Sequence, residues 1–257
     1  MTGFDETLLS RVEDAGLNAS APPQQRWLDG WLLRYLPGKA RRARCINAVA
    51  AGRLPVEDKL ELAAEVYRDA GLPMIFRLHR FTQPPGLGDA LDLLDYSVVD
   101  HTRVMVCTKL PADARRALPG GTRWARLDGA AYAKAVGALR RSPPEHCVSH
   151  ALRLQHSPVP YEGYAILRDG TDEVLACGQF AREGTLVGLY DVFTHESARG
   201  QGLAGLLCER LLSISANNGA KFAYLQVEAD NQPALAVYRR LGFAEGYQYH
   251  YRERLAD

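Results

Sequence analysis

The sequence predicts a mixed α+β and α/β fold. A mostly antiparallel central sheet flanked by helices is expected, preceded by a second α+β domain. Three observations predict it. Three strand-like runs follow one another between residues 161 and 194, parted only by Asp169-Gly170 and Glu183-Gly184, which makes an antiparallel meander. The last run enters a glycine-rich loop that opens directly into an amphipathic helix. A join rich in proline, glycine and polar residues, Pro111–Gly121 (PADARRALPGG), divides the 257 residues into two parts of ordinary domain size. The boundary is placed near residue 118, giving domains 1–118 and 119–257.

Composition narrows the class. Hydrophobic residues make up 47% and charged ones 24%, as in a packed globular chain. A net charge of +1 argues against a nucleic-acid footprint or a polybasic membrane surface. No apolar run is long enough to span a bilayer. The opening MTGFDETLLS is acidic and lacks a signal-peptide core, so a cytoplasmic protein is expected. The five cysteines (Cys45, Cys107, Cys147, Cys177, Cys208) lie far apart without a CxxC. Free thiols in a reducing compartment fit better than a disulfide framework or a zinc site.

In the first part, Thr7–Ala15 reads as a short helix. Arg26–Leu36 (RWLDGWLLRYL) reads as a strand or strand pair closed by Pro37-Gly38. The basic run Lys39–Arg44 leads into a strand at Cys45–Ala50. Pro55 opens a helix whose Leu60, Leu62, Ala63, Val66 and Tyr67 fall at helical spacing up to Gly71. Pro73–Leu78 is a strand, Gly86–Leu94 a short helix, Val98–Leu110 a long strand. No glycine-rich loop precedes a helix here. Arg41, Arg42 and Arg44 read as a solvated strand edge rather than a site for an acidic substrate. Trp27 and Trp31 read as core or interface residues.

In the second part, Asp128 caps a helix running to Leu139. The stretch SPPEHCVSHALRLQHSPVP follows, bracketed by prolines, and is expected to form an irregular, mobile, substrate-facing loop. His146 and His150 have the spacing of a metal pair. No carboxylate is fixed beside them, so no metal is expected. Tyr161–Arg168, Val174–Arg182 and Thr185–Thr194 are the meander. The third strand is apolar on both faces, hence central and covered on both sides. Asp191 interrupts it and must be paired, or solvated in a cleft. The helix after the loop turns Leu203, Leu206, Leu207, Leu211, Leu212 and Ile214 inward and stops at Asn217-Asn218-Gly219. Phe222–Val227 is a strand, Asp230-Asn231 cap a helix ending at Leu241, and Phe243–Arg252 is an aromatic strand.

The glycine-rich loop is the chemical signal. Gly200 and Gly202 leave the backbone accessible, and the helix start supplies unpaired N–H groups and the positive dipole end. Together they make an anion site suited to phosphate or pyrophosphate. Two kinds of protein build one. Gly200, Gly202 and Gly205 match GxGxxG, with Glu228 as the acidic residue of a dinucleotide fingerprint. That fingerprint requires the first βαβ unit of a doubly wound sheet. Here a meander precedes it and too little chain follows. The other reading fits throughout. Arg199-Gly200-Gln201-Gly202-Leu203-Ala204 matches R/Q-x-x-G-x-G/A and resembles the pyrophosphate loop of the GNAT superfamily of N-acetyltransferases. Asn231-x-x-Ala234-x-x-x-Tyr238, followed by Leu241-Gly242-Phe243, is similar to that family's second signature. The order of elements over Arg123–Arg252 is also the GNAT order.

The resemblance implies the GNAT fold and an acetyl-CoA-dependent N-acetyltransferase of the EC 2.3.1 class. Acetyl would pass to a primary amine of a small molecule or peptide by direct attack in a ternary complex. Acetyl-CoA is the cosubstrate and the acceptor amine is unidentified. No metal, nucleic acid or membrane partner is implied, and a homodimer is compatible with it. Arg199, Gly200, Gln201, Gly202, Leu203 and Ala204 would hold the pyrophosphate. Val192, Phe193 and Thr194 would pair with the pantetheine arm, where a backbone donor would serve as oxyanion hole. Asn231 would help position the donor, and Tyr238 would touch it and protonate the leaving thiolate. Relatives that place a glutamate before the asparagine signature use it as general base; Gln226 stands there in this chain. Asp191 is the first candidate base, then Glu228, then His195. Cys208 lies inside a helix, so no acyl-cysteine is expected. The missing glutamate keeps a second reading open: a non-catalytic acyl-CoA-binding module or sensor. In the first part, Pro55–Gly71 with Pro73, and Leu94-Asp95-Tyr96 before a strand, resemble a worn GNAT copy without its loop. An unrelated α+β cap stays beside that reading. Either would form one wall of the substrate cleft.

Overall fold

The computed structural model describes residues 3–38, 40–114 and 116–254. They form two compact units. Of the described residues, the first takes those of 20–103 and 247–254, and the second those of 3–19 and 104–246. These units follow different lines from a division at residue 118, because paired strands come from distant parts of the chain.

In the first unit, β1 (Gln25–Leu28) and β2 (Trp31–Arg34) make an antiparallel hairpin. It turns at Asp29-Gly30, both at positive φ (41° and 86°), the two-residue turn that suits strand twist. β3 (Ile46–Ala48) is antiparallel to β2 and parallel to β4 (Ile75–His79). A parallel pair needs a crossover, and α2 (Val56–Asp69) supplies it. α3 (Leu87–Asp92) and β5 (Ser97–Cys107) follow. The chain-end strand β11 (Ala244–Glu253) pairs antiparallel with β4 through Tyr249–Glu253. Trp31 is fully buried and meets Phe76 edge-on at 5.8 Å. Trp27, expected in the core or an interface, is 63% exposed. It lies on β1, whose only ladder among the described residues is with β2. Arg41 of the basic run pairs with Asp100 and with Glu253 (3.1 Å); Lys39 lies outside the described residues.

The turn between β3 and α2 is closed by a carboxylate. Asp29 accepts the N–H groups of Arg53 and Leu54, both at 2.8 Å. Lys59 has no solvent exposure, stands 3.0 Å from that carboxylate and also donates to the carbonyls of Asp29 and Ala51. The backbone donors and the ammonium hold Asp29 below its ordinary pKa.

The second unit is built round the meander. α1 (Glu6–Ala19) comes first in the chain. β6 (Thr122–Leu127) is a strand not anticipated from sequence. α4 (Gly129–Leu139) is capped by Asp128, which accepts the Ala131 N–H at 2.8 Å. Where a mobile loop was expected, the chain forms α5 (Pro144–Gln155). Pro144 sits in its first turn, where no N–H is needed, and Pro158 and Pro160 fall beyond its end, so the prolines bound the helix instead of breaking it. β7 (Tyr161–Arg168), β8 (Val174–Glu183) and β9 (Leu186–Thr194) are antiparallel. α6 (Leu203–Asn217) crosses over to β10 (Phe222–Glu228), which runs parallel to β9. α7 (Gln232–Arg240) precedes β11. The strand order is β5-β10-β9-β8-β7-β6.

Side chains alternate between the two faces of this sheet. Ile166, Ala176, Val187 and Leu189 pack with Leu203, Leu207 and Leu211 of α6. Ala165, Leu167 and Cys177 pack with Tyr132 and Val136 of α4. The join is fastened to α6: the Ala112 carbonyl accepts from Ser213 Oγ (2.9 Å) and Asn217 Nδ2 (3.2 Å). No helix among the described residues is long and apolar enough to cross a membrane.

Tyr132 is fully buried over Gly163, where an added Cβ would stand 2.6 Å from ring carbon Cδ2. Gly163→Ala is expected to lower the unfolding free energy by about 1–3 kcal/mol through overpacking, read from the urea midpoint.

Candidate active site

The ladder between β9 and β10 runs only from Leu186↔Phe222 to Leu189↔Leu225. β9 continues to Thr194 and β10 to Glu228, so the two strands part and leave a wedge. On its other edge β9 carries a bulge. Gln179 pairs with Tyr190 and Cys177 with Phe193, which sets Asp191 and Val192 against Gly178 alone. Asp191 takes φ +51°, a left-handed conformation a non-glycine residue rarely adopts. From the bulge onward, the edge of Val192–Thr194 that faces β10 has no ladder partner among the described residues.

The wedge opens toward the loop before α6. Gly200 and Gly202 have φ of +77° and +76°, and a Cβ on either would meet nothing within 4 Å. Gly202 is the N-cap of α6 and no side chain caps the helix. The first bond into the helix runs from Leu206 N–H to the Gly202 carbonyl, which leaves the preceding amides without intrahelical partners. Arg199 reaches the Thr194 carbonyl (3.5 Å) and lies over Phe193, and Gln201 donates to the Ser197 carbonyl (3.3 Å). These side chains tie the loop back, and its amides stay forward.

Asp191 is a firmly held charge in the second unit. Oδ1 accepts from Arg140 at 3.0 Å, and Oδ2 accepts from Gln179 at 2.8 Å. His150 Nε2 of α5 stands 3.4 Å from Oδ2. The buried Tyr132 hydroxyl donates to the Asp191 carbonyl at 2.8 Å. Burial alone would raise the Asp191 pKa; His150, Arg140 and Arg153 outweigh it and hold the carboxyl far below the usual range. A carboxylate so engaged is a weak proton acceptor. Burial pushes the neighbouring Cys177 thiol up to about 12.

On α7, Asn231 Oδ1 accepts the Ala234 N–H at 3.2 Å, the expected cap. Tyr238 packs edge-on to Phe243 at 6.1 Å among the core side chains. Burial, with Cys208 nearby, raises its pKa above the ordinary tyrosine value, so its hydroxyl keeps its proton. Cys208 is fully buried and its thiol is pushed up to about 12 by that burial, which suits no nucleophile. Of the other base candidates, His195 Nδ1 is engaged by Ser197 Oγ at 2.7 Å, and Glu228 is exposed at the end of β10.

A cavity of about 440 Å³ lies against the start of α6. Gly202 and Gly205 line it with Lys109, Arg116 and Arg240. Arg116 is held there by Glu209 at 2.6 Å. Sequence reasoning missed both: Lys109 reads as the end of the strand Val98–Leu110 and Arg116 as linker, and the fold brings both to the start of α6.

Residues 133–243 match the family described as Acetyltransferase (GNAT) family. They form a GNAT acetyltransferase domain. The chain is 26% identical over 231 residues to the uncharacterized N-acetyltransferase YobR of Bacillus subtilis, covering 89% of this chain and 91% of that one. It is 34% identical over 84 residues to the mycothiol acetyltransferase of Actinosynnema mirum, spanning 32% of this chain and 28% of that protein. Its fold is similar to that of a GCN5-related N-acetyltransferase from Kribbella flavida, at a TM-score of 0.68 and 16% identity, covering 100% of this chain and 98% of the other. A tandem GNAT protein from the clavulanic acid biosynthesis pathway shares the fold at a TM-score of 0.63 and 14% identity, over 78% of this chain and 70% of that one. These relatives support an acetyltransferase. Among the described residues no three His, Cys, Asp or Glu side chains gather in a metal-binding group.

Within the GNAT domain the loop carries a direct expectation. Gly202→Glu and Gly202→Gln impose the same strain at φ +76° and differ in one charge. The Glu variant is expected to lose acetyl-CoA binding and the Gln variant to keep a weakened form of it, measured by calorimetric titration.

Proposed function

We propose that the chain is an acetyl-CoA-dependent N-acetyltransferase that acetylates a primary amine of a small molecule or peptide by direct attack in a ternary complex. One observation carries the reading: the wedge between β9 and β10 leads to the uncapped start of α6. Backbone amides from Gln201 to Ala204 hold the donor's pyrophosphate, with Arg199 and the two glycines shaping the loop. The free edge of Val192, Phe193 and Thr194 pairs with pantetheine amides and directs a backbone donor at the thioester oxygen. Asn231 keeps its amide NH₂ for the donor, since its oxygen serves the helix cap. Tyr238, protonated across the neutral range, gives its proton to the departing thiolate. Asp191, engaged by three side chains, acts in this reading as a positioning carboxylate. Five free cysteines suit the reducing cytoplasm.

The first unit is read as a GNAT-like copy that binds no donor. Its order β2-β3-α2-β4-α3 repeats β8-β9-α6-β10-α7: an antiparallel pair, a helical crossover, a parallel partner, a helix. At the matching turn the Asp29 carboxylate already sits on the Arg53 and Leu54 amides. The anion place is filled from within.

Gln226 in place of a glutamate favours a second reading, an acyl-CoA-binding module without catalysis. Calorimetry on the full chain is expected to show one acetyl-CoA per chain under both readings. Release of free CoA with a primary-amine panel is expected only of the enzyme. No binding at tens of micromolar overturns both. Tyr238→Phe is expected to lower kcat by about 10²-fold with acetyl-CoA affinity little changed. Unchanged turnover removes the acid role.

A further inference from the structure

An amine reaching the site is an ammonium at neutral pH and must lose a proton before its nitrogen can attack. The side chains weighed from sequence are poorly placed to take it. Asp191 is occupied by Arg140, Gln179 and His150; His195 accepts the Ser197 N–H at Nδ1 (3.2 Å), which puts its own proton on Nε2; and Glu228 stands exposed at the end of β10. One group beside the bulge is left with a nitrogen to offer. The buried Nε2 of His150 lies 3.4 Å from Asp191 Oδ2. Its ring meets Tyr132 edge-on at 6.3 Å and 87°. The aspartate that fixes it is itself pinned by Arg140, Gln179 and the Tyr132 hydroxyl. Nδ1 makes no hydrogen bond among the described residues, and the side chain keeps 14% exposure. With its proton on Nε2, toward the carboxylate, the imidazole presents a lone pair at Nδ1.

We propose that His150, positioned by Asp191, is the proton acceptor for the acceptor amine. The proposal rests on the acetyl-transfer reading above, which puts the thioester beside Val192, the residue after Asp191. His150 Nδ1 takes a proton from the ammonium. The freed nitrogen pair bonds to the thioester carbon, and the C–S pair leaves on sulfur. Tyr238 protonates that sulfur and is restored by the proton the new amide nitrogen sheds; His150 returns its own proton to solvent. The charged and titratable groups facing the imidazole and its carboxylate are Tyr132 and Arg140 of α4, Arg153 of α5, Cys177 of β8 and Asp191 of β9. Asp191 is the one anion among them, and at 3.4 Å it attracts the imidazolium formed in the step against the repulsion of Arg140 and Arg153.

The test uses the full chain with acetyl-CoA and two kinds of acceptor. One is a primary amine, from a panel of spermidine, phenethylamine and an alanyl peptide. The other is hydroxylamine, whose nitrogen is largely unprotonated at neutral pH. His150→Gln is expected to lower kcat with the primary amine by about 100-fold and to remove the acidic limb of the kcat/KM profile. Its hydroxylamine rate is expected to stay within about threefold of the parent, and acetyl-CoA affinity to stay unchanged. Equal losses with both acceptors, or an unchanged rate and profile, overturn the proposal. The NMR signals of the His150 ring supply a readout that needs no acceptor. Asp191→Asn is expected to change the ring nitrogen signals that report which nitrogen carries the proton; no change overturns the pairing. A parent chain that binds no acetyl-CoA overturns the acetyl-transfer reading, and the ring signals then judge the pair alone.

Discussion

One surplus residue in β9 governs the site. Between the pairs Gln179↔Tyr190 and Cys177↔Phe193, β9 spends two residues where β8 spends Gly178. The mismatch fits because Gly178 has no side chain: a Cβ there would come within 3.0 Å of Leu207 and 3.3 Å of Val192. The bulge bends and twists its strand, and the ladder to β10 has already ended at Leu189. Beyond it successive side chains alternate as in any strand. Val192 packs with the α6 cluster and Phe193 with the α4 cluster. The Asp191 carboxylate turns to α4 and α5, where Arg140 and His150 meet it.

The two turns that lead from a strand into a crossover helix show how one geometry serves opposite ends. Before α6, the positive-φ glycines face open space and the helix start has no side-chain partner. Before α2, Gly52 has φ +71° but is crowded by Asp29 and Lys59, and a carboxylate of the chain takes the amides. Backbone donors at a helix start favour an anion in both places. In the first unit folding supplies that anion and stabilises a hairpin. In the second it is left to a ligand.

Much of this was legible from residue order. The meander, the crossover and the capping roles of Asp128 and Asn231 follow from local chemistry: turn residues between alternating runs, a glycine pair before an apolar helix, a polar oxygen one turn ahead of an amide. The failures share a different origin. The segment 144–155 reads as a loop because prolines flank it, yet position relative to the first turn decides whether proline starts or stops a helix. Lys109 reads as a strand end and Arg116 as linker because nothing local says that these residues will meet α6. Trp27 and Trp31 look alike in sequence and differ only through the neighbour that β1 lacks. Asp191 was recognised as a carboxylate in need of partners. That those partners would be Arg140, Gln179 and His150, 51, 12 and 41 positions away, depends on tertiary packing alone.

The place of Gln226 bears on where a base can come from. Its amide lies 3.1 Å from the Cβ position of Gly16 in α1, so β10 spends that residue on packing and presents no carboxylate to the wedge. A proton acceptor must then come from another wall, and the bulge makes α5 that wall by turning Asp191 toward it. His146 and His150 share one spacing and different surroundings: only His150 meets the carboxylate and the Tyr132 ring. A spacing that sequence alone offers to a metal thus resolves into one histidine fixed by an anion. Desolvation makes an isolated aspartate in this position costly, and two donors with the imidazole at 3.4 Å offset that cost. The same neighbours draw off its basicity, so the carboxylate is better suited to orient an imidazole than to accept a proton itself.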